Sequence, residues 1–173
     1  KVRFWGVRGS IPTPTPYEEI EHKIIRAVRG AKGVDLDDEA AVTAYVKGLP
    51  MHERGCWGGN TTCLQVVSDA GDTMIVDAGS GLRALRDAML DSELGRGEGH
   101  AVMLFTHTHW DHIQGIPFFR PFYVKGNRFD IYARHADIEE RLKYQHDRRF
   151  FPVGMEVMEA TKSFQALPDR IEA

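Results

Sequence analysis

A histidine-rich segment that directly follows a run of apolar residues constrains this chain more than any other feature. Residues 101–105 (AVMLF) are continuously apolar, which is typical of a strand buried on both faces. The segment THTHWDH comes next and contains His107, His109, Asp111 and His112. Imidazole and carboxylate groups bind borderline divalent metals, and functional groups of α/β proteins gather at the carboxyl ends of strands. The segment therefore predicts a metal centre at a strand end.

The spacing of these four side chains predicts two metal ions rather than one. Four ligands this close together along the chain cannot all bind a single ion. His107 and His109 point to the same side if the backbone there is extended, because alternate side chains share one face. Asp111 and His112 come after a turn, and we expect them to bind a second ion nearby.

The rest of the chain alternates between strand and helix patterns. Residues 2–5 predict a first strand, and residues 62–68 and 74–77 predict a hairpin around a polar turn. Residues 129–133 predict another strand, which is followed by a helical pattern. Mixed strands and crossover helices predict a layered α/β domain.

A helical insertion at residues 16–55 interrupts this pattern and carries no evident chemistry of its own. Thr15 and Glu18 fit a capping box at the start of its first helix, and Asp35 or Asp37 fits the cap of a second helix. The apolar stripe of the first helix must be buried against something, so the insertion could be a lid, the interface of a homodimer, or simply packed on its own sheet.

Composition narrows the class of protein. The 173 residues suit a single domain spanning 1–173, and 22 basic against 25 acidic residues give a net charge of −3. This balance disfavours a nucleic-acid polymer as partner, since such partners are held by a basic face. Two cysteines are too few for a disulfide framework, and no apolar run or leader predicts a membrane span or secretion, so we expect a cytoplasmic protein.

Four segments of the chain resemble one family. HTHWDH followed by IQGIP at residues 107–117 resembles the H-x-H-x-D-H signature of the metallo-β-lactamase superfamily of metal-dependent hydrolases. FWGVRGSIPTP at residues 4–14, GGNTTC at 58–63 and IVDAGSGLR at 75–83 resemble the subgroup of cyclic-nucleotide and cyclic-phosphate phosphodiesterases. They are more distantly similar to the tRNA 3′-processing endonucleases.

The resemblance implies an αββα sandwich with a dinuclear site in a cleft at one edge of two packed sheets. It implies that His107 and His109 bind the first ion and that Asp111 and His112 bind the second, with a hydroxide bridging the two. Zinc is the favoured metal, with Mn²⁺ and Fe²⁺ as alternatives. Asp111 is also expected to orient that hydroxide, which makes it the candidate catalytic residue.

Complete members of the family supply a third histidine, a bridging aspartate and a final histidine after the first motif. None of these is evident downstream of His112, where His135 and His146 are the only histidines. Neither is expected to be a ligand. We therefore expect the chain to cover mainly the N-terminal half of the fold, and the domain to be incomplete at its C-terminus.

Three further residues are candidates for roles around the site. Family members use an aspartate at the position of Asp77 to hydrogen-bond and orient a ligand histidine. Arg8, after the first strand, is a candidate contact for an anionic substrate, although an arginine in such a loop also braces it. Asn60 could border the cleft, and its alternative role is in a turn.

Together these observations predict a dinuclear phosphodiesterase that hydrolyses a small cyclic or nucleotide-like phosphodiester. A tRNA 3′-processing type of nuclease on the same fold is one alternative, and a thioester, lactone or β-lactam hydrolase is another, because a metal pair also activates water for attack on a carbonyl. A noncatalytic sensor or binding module is an alternative of a different class.

Overall fold

Six strands form one mixed sheet in the computed structural model, which describes residues 1–56 and 58–168. The strands are β1 (Val2–Gly6), β2 (Cys63–Val67), β3 (Thr73–Val76), β4 (His100–Phe105), β5 (Arg128–Ala133) and β6 (Thr161–Ala166). They lie in the sheet in the same order as in the chain. The first three strands pair antiparallel, and β3 to β6 run parallel. The predicted hairpin and α/β class are confirmed, and β6 is a strand that the sequence analysis did not predict.

Helices connect these strands. The helices are α1 (Tyr17–Gly30), α2 (Glu39–Gly48), α3 (Met51–Arg54), α4 (Gly81–Ala88), α5 (Glu93–Arg96), α6 (Trp110–Ile113) and α7 (Ile138–Gln145). Every connection between parallel strands advances in the same direction along the sheet. Because such crossovers are right-handed as a rule, the connecting segments all fall on one face of the sheet.

The burial of residues along β4 shows that only one face of the sheet is covered. Ala101, Met103 and Phe105 are buried, whereas Val102 and Leu104 are only half-buried. The prediction that this strand is buried on both faces is therefore wrong for the residues that the structure describes. An apolar run cannot distinguish a covered face from an uncovered one, since both present the same residue types.

One hydrophobic core lies between the helices and the face of the sheet that they cover. It joins Ile75 and Met103 of the sheet to Leu82 of α4 and Leu142 of α7, all of which are almost completely buried. The described residues therefore form one helix layer on one sheet, whereas the predicted αββα sandwich contains two of each. The residues that carry the chemistry lie in the loops at the edge of this sheet.

The chain divides into two compact units, one made of Lys1–Pro12 with the chain from Asn60 onward and the other of Thr13–Gly59. The second unit contains α1, α2 and α3 and spans the predicted insertion at residues 16–55. Its first helix begins at Tyr17 with no side-chain cap, so the predicted capping box of Thr15 and Glu18 is wrong. Asp38, rather than Asp35 or Asp37, caps α2 by accepting a hydrogen bond from the Ala40 amide.

Within the described residues, no helix combines the length and the apolar character needed to cross a membrane.

Candidate metal centre

The histidine-rich segment lies where the sequence predicts it, at the carboxyl end of β4. The strand ends at Phe105, and the backbone is still extended at His109, the residue before α6. The loop after β3 lies beside it, because β3 and β4 are parallel neighbours in the sheet. Residues from two successive strand ends therefore meet at one edge of the sheet.

All four predicted ligands come together there. The ring centroid of His107 lies 4.5 Å from that of His109 and 3.9 Å from that of His112. The Nε2 atom of His112 lies 3.4 Å from Oδ2 of Asp111. Four nitrogen and oxygen donors thus occupy one small region at the protein surface.

Asp77 orients one of these imidazoles. Its carboxylate is almost fully buried, and its Oδ2 accepts a hydrogen bond of 2.8 Å from Nδ1 of His112. Because a carboxylate only accepts, the ring proton resides on Nδ1, and the lone pair on Nε2 points away from Asp77. Asp77 also accepts hydrogen bonds from the backbone amide and the hydroxyl of Thr106. Its φ of 57° places it in the left-handed region, so the tight turn after β3 aims this carboxylate back at the site.

The electrostatics of the cluster favour the forms that bind metal. Desolvation and the nearby imidazoles of His112 and His109 hold the pKa of His107 below its ordinary value, which keeps that ring neutral. A hydrogen bond from the Ser10 backbone amide lowers the pKa of Asp111 and so favours its carboxylate form. Metal ligands must be neutral imidazoles and ionised carboxylates, so both shifts are in the useful direction.

Ser10 is a residue of the site that the sequence analysis missed. Its backbone N–H donates a 2.8 Å hydrogen bond to Oδ2 of Asp111. Its φ of 67° lies in the left-handed region, which is rare for a residue other than glycine. The only local sequence signal for this role is that Ser10 follows Gly9 in a loop. Such loops are too common to predict a contact with the site.

A buried hydrogen-bond network joins the loops on which the site is built. Thr61 is fully buried, and its hydroxyl accepts hydrogen bonds of 2.8 Å from the Ser80 amide and from the Gln114 side chain. The Ser80 hydroxyl in turn accepts from the Thr61 amide and donates to Oδ1 of Asn60. The segment just before β2 and the segments that follow β3 and β4 are thereby tied together.

Asn60 and Arg8, the two predicted substrate contacts, take part in this loop structure. The carbonyl of Asn60 accepts hydrogen bonds of 3.0 Å from the amides of Val7 and Arg8. Arg8 itself is exposed. Their predicted contacts with substrate stay predictions. His135 lies just before α7, and His146 is buried with Nδ1 donating to the carbonyl of Leu142.

The candidate donors do not form a complete site for a metal ion in the described part of the chain. Across residues 1–56 and 58–168, no three His, Cys, Asp or Glu side chains surround one position suited to a metal ion. Cys63 does not change this, since burial raises the pKa of its thiol to about 12 and disfavours the thiolate that binds metals. The orientation of His112 by a buried carboxylate is nevertheless the arrangement that metal-binding histidines use.

Comparisons with known proteins identify the class. The family described as "Beta-lactamase superfamily domain" matches residues 72–169, which is more than half of the chain. The chain therefore belongs to this superfamily and has the metallo-β-lactamase fold, as its H-x-H-x-D-H segment predicts.

Comparisons with individual proteins add little to the family match. No curated protein matches the chain. A solved structure described as "Crystal Structure of a New Diphosphatase from the PhnP Family" is 22% identical, with a TM-score of 0.44, and the match covers 65% of this chain. The chain spans 40% of the length of that protein.

Replacing Asp77 by asparagine tests its positioning role. The amide keeps the shape of the carboxylate but can present an N–H to His112, which removes the reason for the proton to reside on Nδ1. We expect Asp77→Asn to weaken zinc binding by about 10- to 100-fold, the usual loss when the partner of a metal-binding histidine is removed. Competition with a chromogenic chelator measures the affinity. Asp72→Asn, in the β2–β3 turn, is the control, and equal zinc affinity in wild type and Asp77→Asn would contradict the role.

Proposed function

We propose that the protein is a dinuclear metal-dependent phosphodiesterase that hydrolyses a small cyclic or nucleotide-like phosphodiester. The observation that carries the proposal is the convergence of His107, His109, Asp111 and His112 at one strand end, with His112 oriented by the buried Asp77. In this proposal His107 and His109 hold one ion, and Asp111 and His112 hold the other. Zinc is the favoured metal, with manganese and iron as alternatives.

Divalent ions at such a site lower the pKa of bound water and neutralise the charge of a phosphate group. The protein's own groups prepare the site for this chemistry. Asp77 fixes the proton of His112 on Nδ1, and the Ser10 amide fixes one oxygen of Asp111. Asp111 is the residue that we expect to orient the attacking water.

The net charge of the chain and its sequence motifs both favour a small phosphodiester over the other substrates that a metal-activated water could attack. The net charge of −3 provides no general attraction for a nucleic-acid polymer. The segments at residues 4–14, 58–63 and 75–83 resemble those of cyclic-phosphate phosphodiesterases, which supports attack on phosphorus over attack on a carbonyl.

Hydrolysis of bis(p-nitrophenyl) phosphate by the intact protein tests the proposal. We expect turnover that a chelator abolishes and that added zinc or manganese restores. Turnover that survives removal of the metal contradicts the mechanism. Hydrolysis of a lactone or thioester without any hydrolysis of the phosphodiester points to the carbonyl alternative, and a protein that binds no metal points to the noncatalytic one.

A further inference from the structure

A pocket of about 410 Å³ adjoins the segment that carries the metal-binding histidines. Thr108 and Trp110 line it, and these two residues alternate with His107, His109 and Asp111 along the chain. Residues 107–109 precede α6, and alternate side chains of an extended segment point to opposite sides, so the pocket and the candidate metal centre share this stretch of backbone. The volume is in the range of pockets that bind small organic ligands.

Two aromatic side chains on the walls of this pocket are unusually exposed. Trp110, at the start of α6, is 65% exposed, and Tyr144, on α7, is 62% exposed. Large aromatic rings left in water beside a pocket are available to stack on a flat ligand. Phe150 supports Tyr144 from the side, with ring centroids 6.1 Å apart.

Two of the acceptors at the pocket lack a partner among the described residues, and one of them is open to a ligand. Gln145 is nearly buried, its Nε2 donates to the carbonyl of Ile113, and its Oε1 is itself buried and has no partner in the part of the chain that the structure describes. Glu140 also lines the pocket and forms no ion pair with any described residue. The Glu140 carboxylate can accept hydrogen bonds, so a ligand with N–H donors would satisfy it.

The positively charged side chain that lines the pocket, Arg141, already has hydrogen-bond partners. The guanidinium of Arg141 donates to the Thr108 hydroxyl at 2.9 Å and to Oδ1 of Asp137 at 2.9 Å. No other lysine or arginine of the described chain lines the pocket. A phosphate group would therefore meet the carboxylate of Glu140 without a free positive charge, which makes this pocket a poor phosphate site.

We propose that this pocket binds the nucleobase of the substrate, and specifically a base that carries an amino group. The flat ring would stack on Trp110 and Tyr144, and the amino group would donate to Glu140. The inference rests on the proposed function for the phosphodiester at the metal centre, and it narrows the substrate class to nucleotide-like phosphodiesters. Trp110 and Tyr144 would determine specificity rather than carry out chemistry.

Binding of nucleosides, which contain no phosphate, tests the pocket separately from catalysis. In titration calorimetry with the intact protein we expect saturable binding of adenosine. We expect purine riboside, which lacks the amino group, to bind about fivefold more weakly, as for one lost hydrogen bond. Tyr144→Ala should weaken adenosine binding about tenfold, whereas Tyr144→Phe, which keeps the ring, should bind like wild type.

Matched variants test whether adenosine binding depends on the residues that line the pocket or on their neighbours. Glu140→Gln should weaken adenosine binding, and Glu139→Gln, which alters the neighbouring residue paired with Lys143, should not. Trp110→Phe should remove the quenching of tryptophan emission that adenosine causes in the wild type. Equal affinity for adenosine and purine riboside, or unchanged binding by Tyr144→Ala, would each overturn the inference.

The two proposals fail in different ways. If adenosine binds as expected but bis(p-nitrophenyl) phosphate is not hydrolysed, the pocket is supported and the proposed function is contradicted. If the phosphodiester is hydrolysed but no nucleoside binds, the nucleobase pocket alone is overturned.

Discussion

Asp111→Asn is expected to lower kcat for bis(p-nitrophenyl) phosphate by at least about 100-fold, because in the proposed function Asp111 is a metal ligand, and a ligand contributes no less than the outer partners of a metal site. Asparagine has nearly the same shape, and its side-chain oxygen can still accept the hydrogen bond that the Ser10 amide gives to Oδ2 of Asp111. What the substitution removes is the negative charge. That charge is present at neutral pH, since the Ser10 hydrogen bond holds the pKa of Asp111 below its ordinary value.

The fold should tolerate this change. Asp111 lies at the surface edge of the site, and its other close contact is with Nε2 of His112 at 3.4 Å. We expect the free energy of unfolding to change by less than about 1 kcal/mol, as for substitutions outside the core. Asp69→Asn, in the exposed turn between β2 and β3, is the matched control. Steady-state kinetics with saturating zinc together with urea unfolding make the comparison, and full activity in Asp111→Asn would rule out its proposed role.

The sequence could reveal the candidate metal-binding segment because all four donors lie within a few residues of one another. His107 and His109 are brought together by local backbone geometry, and a single turn brings His112 to them. Asp77 is different, because it lies 35 residues from His112 and its role was implied by a resemblance to a family. The structure shows the contact on which that role depends.

Other features depend on pairing between distant parts of the chain, which no local pattern encodes. Strand β6 (Thr161–Ala166) contains mostly polar residues, and it is a strand because its backbone pairs in parallel with β5. Ser10 contacts Asp111 across 101 residues of sequence. Val102 and Leu104 are only half-buried because all the crossovers run in one direction and cover one face, which is a property of the whole sheet.

The glycine that joins β3 to α4 illustrates how a distant contact determines which residue is tolerated. A Cβ atom on Gly79 would overlap the backbone oxygen of Asp111 and the hydroxyl of Thr61, and would lie 2.7 Å from the Thr61 carbonyl carbon. Two of these obstacles are backbone atoms, which cannot rotate away. The same loop is held by hydrogen bonds from the Gly79 amide to Thr62 and from the Ala78 amide to His112.

We therefore expect Gly79→Ala to lower the free energy of unfolding by about 3 kcal/mol, at the upper end of the usual cost of overpacking. We also expect weaker zinc binding, since relief of the overlap must move the backbone of Asp111 or break the hydrogen bonds of the buried Thr61. Urea unfolding measures the first effect and chelator competition measures the second.

Gly48→Ala is the matched control for this prediction. Gly48 ends α2, and a Cβ atom there would meet nothing within 4 Å. Alanine at that position should leave stability unchanged or raise it by up to about 1 kcal/mol, because it restricts the unfolded chain without a clash. If Gly79→Ala unfolds at the same urea concentration as Gly48→Ala, the loop after β3 can move away from Asp111 and Thr61 at little cost. The close approach of these backbones would then not be what requires glycine at position 79.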